Sequence, residues 1–382
     1  MWLPGDLAPD FTARSSNGNP KYNLGSAAGR YLVLCFFGSA ALGKNLKAIE
    51  HMAARRDFFN DHNAVFFGIS IDQNDELQNR VRQHIPGIRF FWDCDLEVSK
   101  LYKALAKDVD WKNGQVSYNA FTLILDPMMR VIACIPLKDL EQHNKAFDDI
   151  ISKLPEMKDH AGVEMHAPVL ILPRIFEPEF CRELISLFET DGGQESGFMR
   201  QVGDKTVGIY DSSFKRRKDY NIEDEKVMKD IHARFARCLL PMIESVFQFK
   251  VTCMERYLLA CYDSESGGFF MPHRDNTTAV TGHRKFAVTI NLNSEEYEGG
   301  DLRFPEFGQQ LYRAPTGGAV VFSCSLLHEA TPVTKGKRYA FLPFLYDQKG
   351  AELKEKTEVF LEKKTVDKNK GENEYAAFSG KS

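Results

Sequence analysis

The sequence lacks the features that mark secreted, membrane-spanning or nucleic-acid-binding proteins. Its eight cysteines include no Cys-x-x-Cys pair, which argues against a disulfide framework and favours reduced thiols in a cytoplasmic protein. No apolar run is long enough to cross a bilayer, and the first residues show no basic segment followed by an apolar one, as a signal peptide would. The formal net charge of -4 gives no reason to expect nucleic acid or an anionic membrane as a partner.

The composition is that of an ordinary globular protein with more than one domain. The chain has 382 residues, of which 43% are hydrophobic and 27% charged, and a chain of this length favours two or three domains. Residues 1–155 alternate apolar strand-like runs with amphipathic helical ones. The strands are predicted at 31–38, 64–72 and 121–127, and the helices at 44–61, 75–85 and 140–154. This alternation predicts an α/β domain with helices on both faces of its sheet.

The pattern changes after a polar segment at 156–168, which we interpret as a linker. Residues 169–350 begin with helical patterns and continue with short strands separated by turn signals, which predicts a barrel or jelly roll supported by helices. The helices are predicted at 177–190 and 223–247, and the strands at 255–263, 284–293, 302–305, 318–324 and 338–347. Residues 351–382 form a charged carboxy-terminal tail, and we expect its last stretch to be mobile.

A metal site is predicted where "MPHRDN" interrupts an apolar stretch. His273 and Asp275 are two residues apart, and on a strand such residues point to the same side. His328 follows in "SLLHEATPV". Two histidines and one carboxylate fit the facial triad of non-haem Fe(II) oxygenases, which leaves coordination positions open for a chelating cosubstrate and O2.

Arg338 supplies a second element of this prediction. A hairpin at "TKGK" places Arg338 on the strand that neighbours His328, from which it can project into the barrel. A buried arginine is costly unless it meets an anion, and its planar fork suits a carboxylate. The distal carboxylate of 2-oxoglutarate would be such an anion. His283 has no comparable support, and we interpret it as a loop histidine.

From about residue 166 onward the chain resembles Fe(II)/2-oxoglutarate-dependent dioxygenases of the prolyl-4-hydroxylase type. The resemblance rests on four blocks in the family's order, "ACYDSESGGFFMPHRDN", "FAVTINLN", "YEGGDLRFPEFG" and "PTGGAVVFSCSLLHEATPVTKGKRYA". It implies a double-stranded β-helix in which His273, Asp275 and His328 are the catalytic iron ligands. It also implies that Arg338 binds 2-oxoglutarate.

The same resemblance extends to further positions around the cosubstrate. Tyr262 matches a tyrosine that lines the cosubstrate pocket in relatives, and Asn291 stands near a position where some relatives have a tyrosine. The basic run at 214–224 is typical of a solvated face, but in relatives it lies in a loop near the substrate, which makes Arg216 and Arg217 candidates for substrate contact.

The chemistry that this resemblance implies is hydroxylation of a peptidyl substrate, a prolyl residue among the options, or of an amino-acid-like one. The cosubstrates would be 2-oxoglutarate and O2, and the products would include succinate and CO2. Ascorbate is compatible with the family as a reductant. Whether the substrate is a protein or a small molecule stays open at this point.

The first domain resembles a peroxiredoxin-like domain of the thioredoxin fold. The resemblance rests on "PGDLAPDF", "GRYLVLCFFG", "FFGISID", "IRFFWDCDLEVSKLY" and "FTLILDP". Active peroxiredoxins carry Pro-x-x-x-Thr-x-x-Cys, and here Gly38, Leu42 and Asn45 occupy the three defined positions. Peroxide reduction needs a thiolate, which Asn45 cannot supply, and Cys35 lies in an apolar strand. We therefore predict a non-catalytic domain that offers a packing surface to a homodimer, the other domain or a protein substrate.

An alternative hypothesis assigns the chain no catalysis. It would then be a redox- or oxygen-responsive binding module that uses the thioredoxin-like domain to hold a partner. The complete triad and Arg338 favour the dioxygenase, because a protein that only binds a partner needs neither.

Overall fold

The computed structural model describes residues 2–106, 117–202, 205–367 and 375–377 and divides the chain into two compact units. The first comprises Met1–His166 together with Pro305–Gln309, and the second comprises Ala167–Phe304 and Gln310–Ser382. Most of the segment predicted as a linker therefore lies in the first unit, where Met157–Asp159 forms a turn of 3-10 helix with Met157 buried.

The first unit contains seven strands and four helices among its described residues. The strands are β1 (Thr12–Ser15), β2 (Tyr22–Asn23), β3 (Tyr31–Gly38), β4 (Ala64–Ser70), β5 (Ile88–Trp92), β6 (Phe121–Leu125) and β7 (Val131–Pro136), and the helices are α1 (Gly43–Ala53), α2 (Gln73–Leu77), α3 (Glu97–Leu101) and α4 (Leu140–Ile151).

These strands form one mixed sheet in the order β2-β1-β5-β4-β3-β6-β7. Strands β3, β4 and β5 run parallel to one another, and every residue of β3 and β4 is buried, as expected for strands covered on both faces. The predicted α/β thioredoxin-like, peroxiredoxin-like fold is confirmed. The helix predicted at 75–85 is shorter and begins earlier, at Gln73, where Asp72 caps its start. It ends at Leu77, shortly before Asn79 adopts a positive φ of 51°, a conformation that a right-handed helix does not continue through.

The second unit is richer in strands. Its helices are α5 (Pro178–Asp191), α6 (Glu225–Arg234), α7 (Leu240–Phe247) and α8 (Gln348–Thr357), with a π-helical turn at Phe235–Leu239 between α6 and α7. Its strands are β8 (Leu170–Leu172), β9 (Gln194–Glu195), β10 (Phe198–Val202), β11 (Lys205–Tyr210), β12 (Lys215–Arg216), β13 (Lys218–Asn221), β14 (Cys253–Glu255), β15 (Leu258–Asp263), β16 (Phe269–His273), β17 (Phe286–Asn291), β18 (Glu298–Gly299), β19 (Leu302–Arg303), β20 (Leu311–Tyr312), β21 (Ala319–Ser323), β22 (His328–Ala330), β23 (Val333–Lys335), β24 (Lys337–Phe341), β25 (Phe344–Tyr346), β26 (Leu361–Asp367) and β27 (Tyr375–Ala377).

Two of its sheets form the jelly roll. The major sheet has the order β14-β25-β17-β24-β15-β13-β9, with β21 and β8 joined to β17, and the minor sheet has the order β12-β16-β22-β19-β20. One apolar cluster draws on both sheets, with Tyr262 and Ala340 from the major one and Phe270 and Ala330 from the minor one. On the other face of the major sheet, the apolar residues of α5, α6 and α7 complete a larger core. The predicted double-stranded β-helix with supporting helices is confirmed.

The carboxy-terminal tail contributes to the second unit. After α8, strand β26 pairs in parallel with β11 and antiparallel with β27. The final residues, which we expected to be mobile, lie largely outside the described part. Within that part, no helix is long and apolar enough to cross a membrane, and all eight cysteines have free thiols.

Candidate metal centre

The two predicted histidine ligands face each other across neighbouring strands. His273 ends β16 and His328 begins β22, and the two residues pair directly in the antiparallel ladder. Their ring centroids are 4.3 Å apart. Residues directly opposite each other on a ladder project to the same side, so the minor sheet brings together two imidazoles that are 55 positions apart in the chain.

Asp275 completes the cluster. Its Oδ1 lies 3.6 Å from Nε2 of His273, and its Oδ2 lies 3.4 Å from Nε2 of His328. The three ligand atoms lie within 4.8 Å of one another. The main-chain N–H of Asp275 donates to the Cys324 oxygen at 3.0 Å, which ties the loop after β16 to the turn before His328.

The hydrogen bonds of the histidines suit metal coordination. Nδ1 of His273 lies 2.8 Å from the Met271 oxygen, and Nδ1 of His328 lies 3.0 Å from the Leu326 oxygen. A carbonyl oxygen only accepts, so each Nδ1 carries the proton and each Nε2 presents a lone pair to the cluster. Metal-bound histidines are commonly held by such a bond at the other ring nitrogen.

The protonation states also suit a cation. Burial lowers the pKa of His328 to about 4, and the neighbouring His273 acts in the same direction. Burial alone would raise the pKa of Asp275, but the adjacent His328 and His273 outweigh it and leave that pKa below its ordinary value. A neutral imidazole and a carboxylate are the forms that bind Fe(II).

Arg338 projects into the space between the sheets with donors that have no partner. It is 2% exposed and lies directly opposite Tyr262 in the pairing of β24 with β15, with its guanidinium carbon 5.0 Å from the Tyr262 ring centroid. Its Nε and Nη1 are buried without a hydrogen-bond partner. Gly300, at φ +67°, leaves space here, since a Cβ at that position would lie 3.1 Å from Cδ of Arg338. A buried guanidinium with unpartnered donors fits a carboxylate of 2-oxoglutarate.

Asn291 shares this interior face. It lies opposite Ala340 on β24, two residues from Arg338. Its Nδ2 donates to the Ala314 oxygen at 2.9 Å, while its Oδ1 is buried without a partner. The structure thus places Tyr262, Asn291 and Arg338 on one face of the major sheet. Their contact with a cosubstrate stays a prediction.

The basic run was only partly predicted correctly. Arg216 is exposed, but Lys215 and Arg217 are buried at 6% each, so the expectation of a solvated face is wrong for both. Arg217 binds Asp219 with Nε–Oδ1 and Nη2–Oδ2 distances of 2.6 and 2.7 Å, and its Nη1 donates to the Tyr262 hydroxyl at 3.2 Å. Alternation along the strand turns every second residue inward, and composition alone could not show this.

His283 lies in a turn before β17, as expected for a loop histidine, but its side chain is buried, at 1%. Its Nε2 lies 2.6 Å from Oε2 of Glu255, and the same carboxylate binds Arg284. Arg284 in turn donates to the main-chain oxygen of Asp275 at 3.4 Å. This network hydrogen-bonds the loop that carries Asp275, and no local sequence pattern indicates it.

The first unit has a different arrangement at the place of the peroxidatic cysteine. Asn45 is buried, and its Nδ2 donates to the oxygens of Phe37 and Ser39 at 2.7 and 3.1 Å. Burial raises the pKa of Cys35 to about 12. Gly38 adopts φ +75°, which proline cannot. The backbone at the end of β3 is therefore incompatible with the family's proline.

Comparison with protein families confirms both resemblances. Residues 257–346, which include the predicted metal ligands and cosubstrate-binding residues but not Arg216 and Arg217, match the 2OG-Fe(II) oxygenase superfamily, and residues 4–133 match the AhpC/TSA family. The oxygenase superfamily implies Fe(II) and 2-oxoglutarate as cofactor and cosubstrate.

Individual relatives are similar over part of their length. A PKHD-type hydroxylase of Synechococcus is 28% identical over 126 residues, which cover 31% of this chain and 54% of the relative. A procollagen lysyl hydroxylase and glycosyltransferase of Acanthamoeba polyphaga mimivirus is 24% identical over 204 residues, which cover 52% of this chain and 21% of the relative. The chain thus spans about half the length, or less, of these curated relatives.

Solved structures are similar to each half of the chain. A prolyl-4-hydroxylase of Pseudomonas putida is 16% identical with a TM-score of 0.37, covering 50% of this chain and 96% of that one. The peroxidoxin BcpB of Mycobacterium tuberculosis is 18% identical with a TM-score of 0.33, and the match covers 40% of this chain and 99% of that one.

Proposed function

We propose that this chain, in which a 2OG-Fe(II) oxygenase domain follows an AhpC/TSA domain, is an Fe(II)- and 2-oxoglutarate-dependent dioxygenase that hydroxylates a peptidyl or amino-acid-like substrate. The observation that carries the proposal is the combination of the His273–Asp275–His328 cluster with the unpartnered guanidinium of Arg338. The cluster alone would suit many metalloproteins, and a buried arginine alone would suit many anions. Together they match the needs of a metal and of a dicarboxylate that chelates it.

In this mechanism, Nε2 of His273, Nε2 of His328 and a carboxylate oxygen of Asp275 would hold Fe(II), and the guanidinium of Arg338 would bind the distal carboxylate of 2-oxoglutarate. With these bound, the site supplies an oxidation by O2 that inserts one oxygen atom into a substrate C–H bond and yields succinate and CO2. The protein fixes the ligand tautomers through the Met271 and Leu326 oxygens. The apolar cluster around Tyr262 and Phe270 keeps water from the reacting region.

The choice of a peptidyl substrate is supported by the mimivirus relative, which is named as a procollagen lysyl hydroxylase. A prolyl residue is one candidate within the peptidyl class. Partner chains, a homodimer and a cytoplasmic location stay predictions.

The first unit has a supporting role in this proposal. Asn45 replaces the nucleophile and hydrogen-bonds the end of β3, while β3 and β4 stay fully buried. We infer that this unit serves as a scaffold or recruiting surface and performs no peroxide chemistry.

The test supplies the full-length protein with Fe(II), 2-oxoglutarate and O2 in the presence of a proteome-derived peptide mixture. Succinate formation and the gain of one oxygen atom on a peptide, measured by mass spectrometry, are both expected. A protein that consumes no 2-oxoglutarate although it binds iron would contradict the proposal and favour the non-enzymatic binding module.

A further inference from the structure

Three phenylalanines form a wall beside the metal centre, which we call the aromatic wall (Phe198, Phe214 and Phe270). Phe198 and Phe214 have ring centroids 4.6 Å apart, and Phe214 and Phe270 have theirs 5.8 Å apart. Phe270 stacks on His273 with a centroid separation of 3.5 Å and an interplanar angle of 21°. A molecule that lies against this wall is therefore one ring away from a metal ligand.

Two cationic side chains flank the aromatic wall. Arg200 on β10 places its guanidinium carbon 5.3 Å from the Phe198 ring centroid and 6.0 Å from that of Phe214. Lys215 on β12 places Nζ 4.8 Å from the centroid of Phe270. Both side chains thus contact rings of the aromatic wall, Arg200 at Phe198 and Lys215 at Phe270.

Neither cation has a carboxylate partner in the described part of the chain. Nζ of Lys215 donates to Oγ of Ser196 and to the Gly197 oxygen, both at 2.6 Å, and both acceptors are neutral. Arg200 contacts the aromatic rings and forms no ion pair there, although the charge of Asp211 opposes the effect of burial, which lowers the pKa of Arg200. The nearby carboxylate of Asp219 is already bound through both oxygens by Arg217.

The surroundings add positive charge. Arg256 donates to the Leu342 oxygen and forms no ion pair within the described residues. Burial lowers the pKa of Lys215 well below its ordinary value, with Arg217 and Arg256 acting in the same direction and Asp219 and Asp275 opposing them. Burying cations without a counter-charge costs free energy. Such an arrangement is stable only where other local interactions or a bound ligand offset this cost. A bound anion would offset it directly.

We propose that the substrate of this dioxygenase carries a carboxylate that binds at the aromatic wall between Arg200 and Lys215. The inference rests on the proposed function and adds the substrate class to it, namely a peptide with an acidic residue close to the residue that is hydroxylated. A free amino acid could present the same carboxylate, and the experiment separates these two sources.

The experiment measures binding without turnover. The full-length protein is loaded with Mn(II) and 2-oxoglutarate in the absence of O2, and titrated with two prolyl peptide pools that differ only in carrying Asp and Glu or Asn and Gln beside the proline. Free proline and free glutamate form a third arm. We expect the acidic pool to bind at least about tenfold more tightly than the amide pool, and more tightly than the free amino acids, since truncating or removing one partner of a charge pair commonly costs this much or more.

Variants assign the effect to the named residues. Arg200→Gln and Lys215→Met should each remove most of the preference for the acidic pool. Lys218→Gln is the matched control, because Lys218 lies on the same basic run and its side chain is exposed. Uptake of Mn(II) and 2-oxoglutarate by each variant verifies folding, and Arg200→Gln, at a partly exposed position, keeps the test decisive if Lys215→Met does not fold.

Equal binding of both peptide pools by a protein that takes up Mn(II) and 2-oxoglutarate normally would overturn this inference and leave the proposed function intact. So would tighter binding of the free amino acids than of the acidic pool, or an equal loss of preference in Lys218→Gln. Failure to take up Mn(II) and 2-oxoglutarate would overturn the proposed function and this inference with it.

Discussion

Both units of this chain have the folds that their sequences resemble, but the polar side chains of the two sites have different partners. In the first unit the nucleophile position holds Asn45, which uses its amide to hydrogen-bond the end of β3. In the second unit the cluster at His273, Asp275 and His328 and the free donors of Arg338 point into the interior. The apolar pattern fixes the fold in both units, whereas a few polar side chains decide whether chemistry remains.

The largest effect in this comparison should come from removing a metal ligand. His328→Ala takes one of three donors from a site whose remaining positions are left for cosubstrate and O2. Loss of a residue that only supports a ligand already costs about 10–100-fold in metal affinity, so we expect at least this loss and no turnover. Iron content after dialysis measures it. His62→Ala, at an exposed histidine of the first unit, should keep full occupancy, and full occupancy in His328→Ala would remove the site.

Arg338→Ala should separate cosubstrate binding from metal binding. The change leaves the distal carboxylate without its charged partner in a buried space, which costs on the order of 2–5 kcal/mol. The concentration of 2-oxoglutarate needed for half-saturation should rise steeply while Mn(II) still binds.

Lys337→Ala is the control for that variant, because Lys337 precedes Arg338 on the same strand but is half exposed and pairs with Asp263. An unchanged response to 2-oxoglutarate in Arg338→Ala, or an equal change in Lys337→Ala, would show that Arg338 does not hold the cosubstrate.

Asn45→Ala should affect only the stability of the first unit. It removes two buried hydrogen bonds to main-chain oxygens, and leaving such acceptors unsatisfied costs about 1–3 kcal/mol. Hydrogen exchange of the β3 and β4 amides measures the change. Lys44→Ala, at the exposed neighbouring position, should have little effect. Impaired 2-oxoglutarate turnover in Asn45→Ala, with unchanged hydrogen exchange of the β3 and β4 amides, would contradict a structural role for Asn45.

The smallest effect concerns Cys35, for which we expect no thiol chemistry. Burial raises the pKa of this thiol to about 12, so at mildly alkaline pH iodoacetamide should label the exposed Cys94 and leave Cys35 unmodified until the protein unfolds. Peroxide consumption with a thiol reductant should be at background, both in the wild type and in Cys35→Ser. Rapid labelling of Cys35 in the native protein would show that the first unit retains a reactive site.

The convergence of His273, Asp275 and His328 could be predicted from the sequence because strand geometry places residues two positions apart on one side, while their binding of a metal stays a prediction. His273 and Asp275 are two residues apart at a strand end, but the prediction of a hairpin that places Arg338 beside His328 is wrong. Arg338 lies on β24, which pairs with β15 and β17 in the major sheet, whereas His328 begins β22 in the minor sheet. The residues that hydrogen-bond around this cluster could not be predicted from the sequence. Glu255, which binds Arg284 beside Asp275, is brought near by pairing of distant strands and has no local signal.

Lys215 and Arg217 show a second limit of sequence reasoning. A run of cations is usually solvated, and only the pairing of β12 with β16 and of β13 with β15 reveals that alternate members point inward. The inclusion of Pro305–Gln309 in the first unit is likewise a tertiary property, since nothing in the composition of those five residues separates them from the strands around them.

The most direct test of the contrast between the two units is the origin of the oxygen in succinate. Full-length protein with Fe(II) and 2-oxoglutarate, supplied with isotopically labelled O2, should form succinate that carries one labelled oxygen atom, and His328→Ala should form none. Absence of labelled succinate from a protein that has taken up Fe(II) and 2-oxoglutarate would contradict the account, because the second unit would then hold both and still lack the chemistry assigned to it.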